Sequence, residues 1–243
     1  ASDIEVFSSG TSSESIAISV NDVTTANEDA GNATFTATLS GTSSSEVTVN
    51  YATSNGTATA GTDYIASSGT LTFAAGTTAR TFTVPVLADS ADEDNETATI
   101  TLSSASNATI SDATGILTIA DDDDAPSLSI NDVTTSNENA ANATFTATLS
   151  AASSRVITAN YATSNGTGTE GDDYTASSGT LTFAAGETSK TFTVPVLADL
   201  LDEVNETATL TLSNASNATI RDATGTLTIT DDDATPSLSI NDV

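Results

Sequence analysis

Cysteine and histidine are both missing from this chain. Without cysteine there is no disulfide, thiolate nucleophile or zinc–thiolate site. Without histidine the usual general base and the commonest transition-metal ligand are gone. Tryptophan is absent as well, which removes the broad aromatic platform of many sugar-binding clefts. Positive charge is nearly absent: four basic side chains (Arg80, Arg155, Lys190 and Arg221) face 33 acids, for a formal net charge of -29. A phosphate backbone would be repelled, so nucleic acid is excluded as a partner. No apolar run approaches the length of a membrane span, so no membrane insertion is expected in this fragment. Neither end resembles a signal peptide. What is left for metal chemistry is oxygen, and oxygen-only sites suit hard cations.

The acids that are present are clustered. Asp121-Asp122-Asp123-Asp124 follows the apolar stretch Gly115–Ala120, and Asp231-Asp232-Asp233 repeats the run. At roughly 5 Å and an effective dielectric of about 20, each like-charge pair costs on the order of 3 kcal/mol. Four basic side chains are too few to relieve this. Strong acidity also serves solubility in salty surroundings, but clustering points to cation binding.

The chain repeats itself with an offset of 110: Asn21-Asp22-Val23 returns at Asn131-Asp132-Val133 and again at Asn241-Asp242-Val243. About three-quarters of positions agree between the two copies, without a gap. A period near 110 is too long for a solenoid and fits one small β-sandwich. The reading is therefore all-β: two tandem immunoglobulin-like antiparallel β-sandwiches of about seven strands each. Residues 1–15 read as a linker or the tail of a preceding module, 16–124 as the first sandwich, 125–234 as the second, and 235–243 as the truncated first strand of a third repeat. In the first copy strands are predicted near 16–21, 32–40, 46–54, 69–74, 80–88, 95–103 and 114–120. Alternation is clear in Thr34–Leu39 and Arg80–Leu87, with Pro85 marking an edge or a bulge. Asn55-Gly56, Ser68-Gly69, Ala75-Gly76 and Asn107 supply turns. The predicted core of the first copy is Phe35, Tyr51, Tyr64, Leu71, Phe73, Phe82, Leu87, Leu102 and Leu117.

On such a sandwich alternate connections share an end. Glu28 lies between the first and second strands, Asp89 and Asp92–Asp94 between the fifth and sixth, and the aspartate run after the seventh. Asp63, in a long third-to-fourth connection, can reach the same pole. Glu138, Asp173, Asp199, Glu203 and Asp231–Asp233 repeat the arrangement. Acids converging from separate loops can supply the six to eight oxygens that calcium takes. The segment Asp89–Asp94 is not an EF-hand loop, because it lacks the glycine that loop needs. Asp92, Asp94, Asp124 and Asp202 read as solvated, Asp22 and Asp132 as turn formers, and Glu96 and Glu206 as loop hydrogen-bonding residues at strand starts.

In combination, Asn27-Glu28-Asp29-Ala30-Gly31, Tyr51–Ala58, Gly61-Thr62-Asp63-Tyr64, Gly69–Phe73, Asp89–Glu96 and the aspartate run resemble the Calx-β domain, the calcium-binding sandwich of sodium–calcium exchangers and many large bacterial surface proteins. The resemblance covers both copies. It implies Ca²⁺ ligands at Glu28, Asp63, Asp89, Glu93, Asp121, Asp122 and Asp123, with the Ala91 carbonyl. In the second copy it implies Glu138, Asp173, Asp199, Glu203, Asp231, Asp232 and Asp233, with the Leu201 carbonyl. Ala88 and Ala198 stand where exchanger domains often carry a further acid, which favours one to three ions per domain. The expected role is a calcium-stiffened spacer repeat of an extracellular or cell-surface adhesin, with neighbouring repeats as partners and no catalysis. The alternatives are a calcium sensor or a carbohydrate-binding module.

Overall fold

In the computed structural model the described residues are 15–140 and 142–241, and they fall into two compact units. One runs to Asp122 apart from residues 90–94; the other holds Ser90–Asp94 together with Asp123 onward. All but the last residue of the expected 1–15 linker lies outside the described residues.

Each repeat is a two-sheet β-sandwich. The first contains β1 (Ala17–Val20), β2 (Val23–Thr24), β3 (Asn32–Leu39), β4 (Val47–Asn55), β5 (Ser68–Phe73), β6 (Ala79–Pro85), β7 (Glu96–Ser106), β8 (Thr109–Ile110) and β9 (Thr114–Ile119). One sheet has the order β6-β3-β1-β8 and the other β2-β9-β7-β4-β5. The second repeat follows suit with β10 (Ser127–Ile130), β11 (Val133–Thr134), β12 (Asn142–Leu149), β13 (Ile157–Asn165), β14 (Ser178–Phe183), β15 (Ser189–Pro195), β16 (Glu206–Ser216), β17 (Thr219–Ile220) and β18 (Thr224–Ile229). Its sheets are β15-β12-β10-β17 and β11-β18-β16-β13-β14.

The seven strands predicted for the first copy all form, and two more join them, making nine. The additions, β2 and β8, are two residues long, too short for an alternation signal to register. They also pair parallel, β1 with β8 and β2 with β9, so the sandwich is not wholly antiparallel. A short 3-10 turn, Glu28–Ala30, enters β3.

Alternation builds the core. In β3 the side chains of Ala33, Phe35, Ala37 and Leu39 are buried while their threonine neighbours face outward. Phe35, Tyr64, Phe73, Ile100 and Leu117 are fully enclosed, and Phe145, Tyr174, Phe183, Leu210 and Leu227 repeat the set. Each such side chain stabilises by roughly 1.5–3 kcal/mol through burial. Two predicted core positions differ. Phe82, Val84 and Val86 point inward, so Leu87 falls out of phase and is only half-buried. Tyr51 keeps the inward phase of Val47 and Val49 and packs against the core, its ring stacked on Phe82 at 4.1 Å, but is only half-buried. Pro85 ends β6, the edge strand of its sheet, where the missing N–H costs no ladder bond.

Residues 231–241 form no strand. The segment read as the first strand of a third repeat runs here with Leu238 and Ile240 almost fully exposed, whereas their counterparts Leu128 and Ile130 are buried. In the second repeat that strand is held by β12 and β17.

Candidate metal centre

The second repeat brings acids from four connections to one end. Glu138 lies between β11 and β12, Asp173 between β13 and β14, Asp199 and Glu203 between β15 and β16, and Asp231–Asp233 after β18. Glu206 opens β16. Carboxylate oxygens of Glu138, Asp199 and Asp233 lie within 4.8 Å of one another, as do those of Asp173, Glu203 and Glu206. The first repeat repeats the second triad, Asp63 with Glu93 and Glu96, and varies the first, where Glu28 and Asp123 are joined by Asp121 and not by Asp89, the counterpart of Asp199. The second-repeat triads lie within one unit, so the arrangement is a product of the sandwich itself.

Local sequence holds each acid in place. Asn165, the last residue of β13, accepts hydrogen bonds through Oδ1 from the buried Tyr174 hydroxyl at 2.6 Å and from the Glu170 N–H at 3.0 Å. This folds the connection back so that Asp173 reaches the pole. Asp173 Oδ2 then accepts the Thr169 N–H at 2.6 Å. Asn55, Tyr64, Thr59 and Asp63 do the same in the first repeat. Gly166 permits the turn: a Cβ there would sit 2.5 Å from the Thr207 carbonyl oxygen. The aspartate run is anchored from the side, where Asn205 Oδ1 accepts the Asp231 N–H at 3.3 Å and Asn95 Oδ1 accepts the Asp121 N–H at 3.1 Å. Thr135 and Thr25, both buried, accept the N–H groups of Thr230 and Ala120 just before the runs.

The electrostatics of this pole are unbalanced. Glu138 is buried, and its Oε1, together with Asp231 Oδ1, Asp233 Oδ2 and Asp123 Oδ2, faces no hydrogen-bond donor. A buried acceptor left so costs roughly 1–3 kcal/mol, and more when charged. Burial, a proton shared with Asp233, and the charges of Asp233, Asp199 and Asp231 push the Glu138 carboxyl up to about 7. Burial, a proton shared with Asp173, and the charges of Asp173, Glu203 and Asp199 push Glu206 up to about 7 as well. Glu203 is raised by burial and by Asp199 and Asp173. Protons only partly relieve such a cluster at neutral pH. A divalent cation relieves it further, and the donor set, carboxylate oxygen, fits a hard one. A cavity of about 430 Å³ opens at this place, bordered by Asp173, Asp199, Leu201, Glu203 and Glu206.

Of the residues read from the sequence, Glu28, Asp63, Glu93, Asp121, Asp123, Glu138, Asp173, Asp199, Glu203 and Asp233 belong to the triads. Asp231 adds its charge beside Glu138. Leu201 borders the cavity, and its N–H is tied to Asp199 at 2.7 Å. Asp122 and Asp232 stand outside the triads. An extended run turns alternate side chains to opposite sides, so Asp121 and Asp123 face in while Asp122 is exposed. Asp232 is likewise exposed, and its carboxylate accepts from Asn139 Nδ2 at 3.1 Å. Asp89 and Ala91 lie on the same loop as Glu93, outside both first-repeat triads. Glu96 and Glu206, read as loop hydrogen-bonding residues, turn out to complete a triad each. The signal was their position, since the first residue of a strand that leaves the pole must still be at the pole. Asn55, Asn95, Asn165 and Asn205 were also missed as supports. Asp92, read as solvated, is buried.

The sequence matches the Calx-beta domain twice, over residues 11–123 and 121–233. The chain belongs to the Calx-beta family. Solved structures resembling it include the CBD12 pair from CALX1.2 (20% identity, 88% of this chain and 99% of that one, TM-score 0.44). The apo-form Calx CBD1 domain is 28% identical over 45% of this chain and 100% of its own, with a TM-score of 0.43. The calcium binding domain CBD12 of CALX1.1 is 22% identical over 82% of this chain and 80% of its own, with a TM-score of 0.42. No curated protein matched the chain. Among the described residues no helix is long and apolar enough to cross a membrane.

Proposed function

We propose that each Calx-beta repeat binds Ca²⁺ at its acidic pole, and that the chain serves as a calcium-stiffened spacer in a larger extracellular or cell-surface adhesin. The observation that carries the calcium reading is the set of buried carboxylate oxygens of Glu138, Asp231 and Asp233 that face no donor, with Asp123 in the same condition in the first copy. Magnesium favours small octahedral sites that keep several waters. Acids gathered from four separate connections, with room for water, suit the larger and more adaptable coordination of calcium. The ligands would be the two triads of each repeat, with Asp231 and the carbonyl of Leu201 beside them in the second. The same reading makes the chain a binding and structural module rather than a catalyst.

The spacer role is supported by sequence. The aspartate run is both a wall of the site and the segment that leads from one repeat into the next. Neutralising it removes the repulsion along that segment and fixes its path. Two nearly identical tandem copies suit a stalk. Extracellular calcium modules work at about 10⁻⁴ to 10⁻³ M. The test is a calorimetric calcium titration paired with thermal melts in calcium and in chelator. Submillimolar to millimolar binding with a large rise in melting temperature is expected. Micromolar binding with little stabilisation would favour a sensor, and no binding would overturn the calcium reading.

A further inference from the structure

In the second unit a serine seat grips an acidic loop. Asp92 and Ser153 are 5% and 3% exposed. The Ser153 hydroxyl donates to the Asp92 carbonyl at 2.8 Å and lies 2.9 Å from its Oδ2, and the Ser154 N–H donates to the same carbonyl at 3.1 Å. Arg155 adds its guanidinium, with Nη1 3.6 Å from Asp92 and Nε 3.2 Å from Asp94. Ser153 is aimed by its surroundings: its Oγ accepts the Arg155 N–H at 3.0 Å and its carbonyl accepts the Gly186 N–H at 2.9 Å.

The first unit carries the same frame 110 residues earlier. Ser43 Oγ accepts the Ser45 N–H at 3.1 Å, and the Ser43 carbonyl accepts the Gly76 N–H at 2.9 Å. Asn107 donates to the Glu46 carbonyl as Asn217 donates to that of Val156, both at 2.9 Å. Here the frame borders an open cavity of about 770 Å³, lined by Ile16, Ser43, Ser44, Ser45, Asn107 and Ala108 among others. The loop that corresponds to Ser90–Asp94 is Leu200–Val204, with Asp202 in the place of Asp92. It holds its apolar side chains in water: Leu200 is 88% exposed, Leu201 62% and Val204 81%. Three large apolar side chains within five exposed residues mark a contact surface.

We propose that the Ser43–Ser45 cavity is a docking seat for the Leu200–Val204 loop of a second copy of this chain. The Ser43 hydroxyl donates to the docked Asp202, the Ser44 N–H donates to its carbonyl, and Leu201 and Val204 cover Ile16 and Ala108. Ser45 replaces Arg155, so this seat holds its loop without the added cation and more weakly than the filled one. A contact between different surfaces of identical molecules is heterologous, and it produces open chains of copies rather than closed dimers.

The absence of cysteine makes a clean test. Arg155 and Asp94 touch in the filled seat, so their counterparts, Ser45 and Val204, are the positions to bridge, leaving Ser43 and Asp202 intact. Equal amounts of S45C and V204C chains, oxidised together with oxidised glutathione, are expected to give the mixed disulfide dimer in about fivefold excess or more over S68C with V204C, because docking raises the effective concentration of the pair. Ser68 is the exposed first residue of β5, at the opposite end of that strand from Phe73, which pairs with Val47 beside the seat frame. Adding S43A to the S45C chain, or D202A to the V204C chain, should return the yield to that of the control. A mixed-dimer yield equal to the control, or one unchanged by both added substitutions, overturns the proposal.

Discussion

Asp232 and Asp233 are neighbours in sequence and opposites in placement. Asp233 turns into the pole beside Glu138, whereas Asp232 is exposed and held by Asn139. On the calcium reading Asp233→Asn should weaken calcium binding in the second repeat by about tenfold or more, roughly 1.4 kcal/mol. Asp232→Asn should change it little, and calorimetry on both variants separates the two. A pH dependence follows from Glu138 and Glu206. Both carboxyls are raised from an ordinary 4.5 to about 7 in the folded, metal-free chain. Between those values the folded state binds more protons than the unfolded one. The stability they contribute is therefore full below about pH 4.5 and is lost as pH rises through 7. Melting in chelator should occur at higher temperature near pH 5 than near pH 8, and calcium should reverse the order. Calcium must displace these protons, so its apparent affinity should rise over the same range. At this scale the sequence was informative about residue type and offset. It was silent on facing. Nothing in three adjacent aspartates says which of them the strand exit turns inward, and nothing in the letters of Asp92 says that a serine seat will bury it.

The connections that carry the acids depend on partners within their own loops. Tyr174 reaches from the core to Asn165, and Asn165 fixes the turn that presents Asp173. Tyr174→Phe removes one hydrogen bond and should cost about 1 kcal/mol of stability. Calcium affinity should fall too, because the Asp173 connection loses its anchor; a denaturant titration and a calcium titration on the same variant check both. Gly166→Ala meets the Thr207 carbonyl at a distance no Cβ tolerates, next to Glu206. A shift of the turn follows, at a cost of about 1–3 kcal/mol, with loss of the second triad. The long strands were legible because threonine alternates with apolar residues over six or more positions. The two-residue strands β2 and β8 were not, since their pairing is set by the sheet they complete and not by their own composition. Leu87 was misread because the inward phase set by Phe82, Val84 and Val86 excludes the residue after Val86, however apolar it is.

At the scale of the whole chain, a net charge of -29 makes the metal-free molecule a self-repelling object. Calcium should raise its melting temperature by more than the same ionic strength of sodium chloride does, since screening relieves exposed charge but not the buried carboxylates. Scanning calorimetry in matched salt is the measurement. With Asp121, Asp122 and Asp123 all changed to Ala, the spacer reading expects small-angle scattering in calcium to report a wider spread of conformations than the unaltered chain gives. The domain count, the period and the location of the acidic pole were legible from the 110-residue repeat and the clustering of charge. The duplication has a further effect on assembly. Asn32–Leu39 and Asn142–Leu149 are the same eight residues, and Ser68–Phe73 and Ser178–Phe183 the same six. Each pairs in the same register with nearly the same neighbours. During refolding a strand of one copy can complete the sheet of the other with almost no penalty in hydrogen bonds or packing, and such exchange is a characteristic failure of tandem repeats. The slowest phase of refolding is then the sorting of twins: its amplitude should not depend on protein concentration, and it should vanish when the two copies are refolded as separate chains.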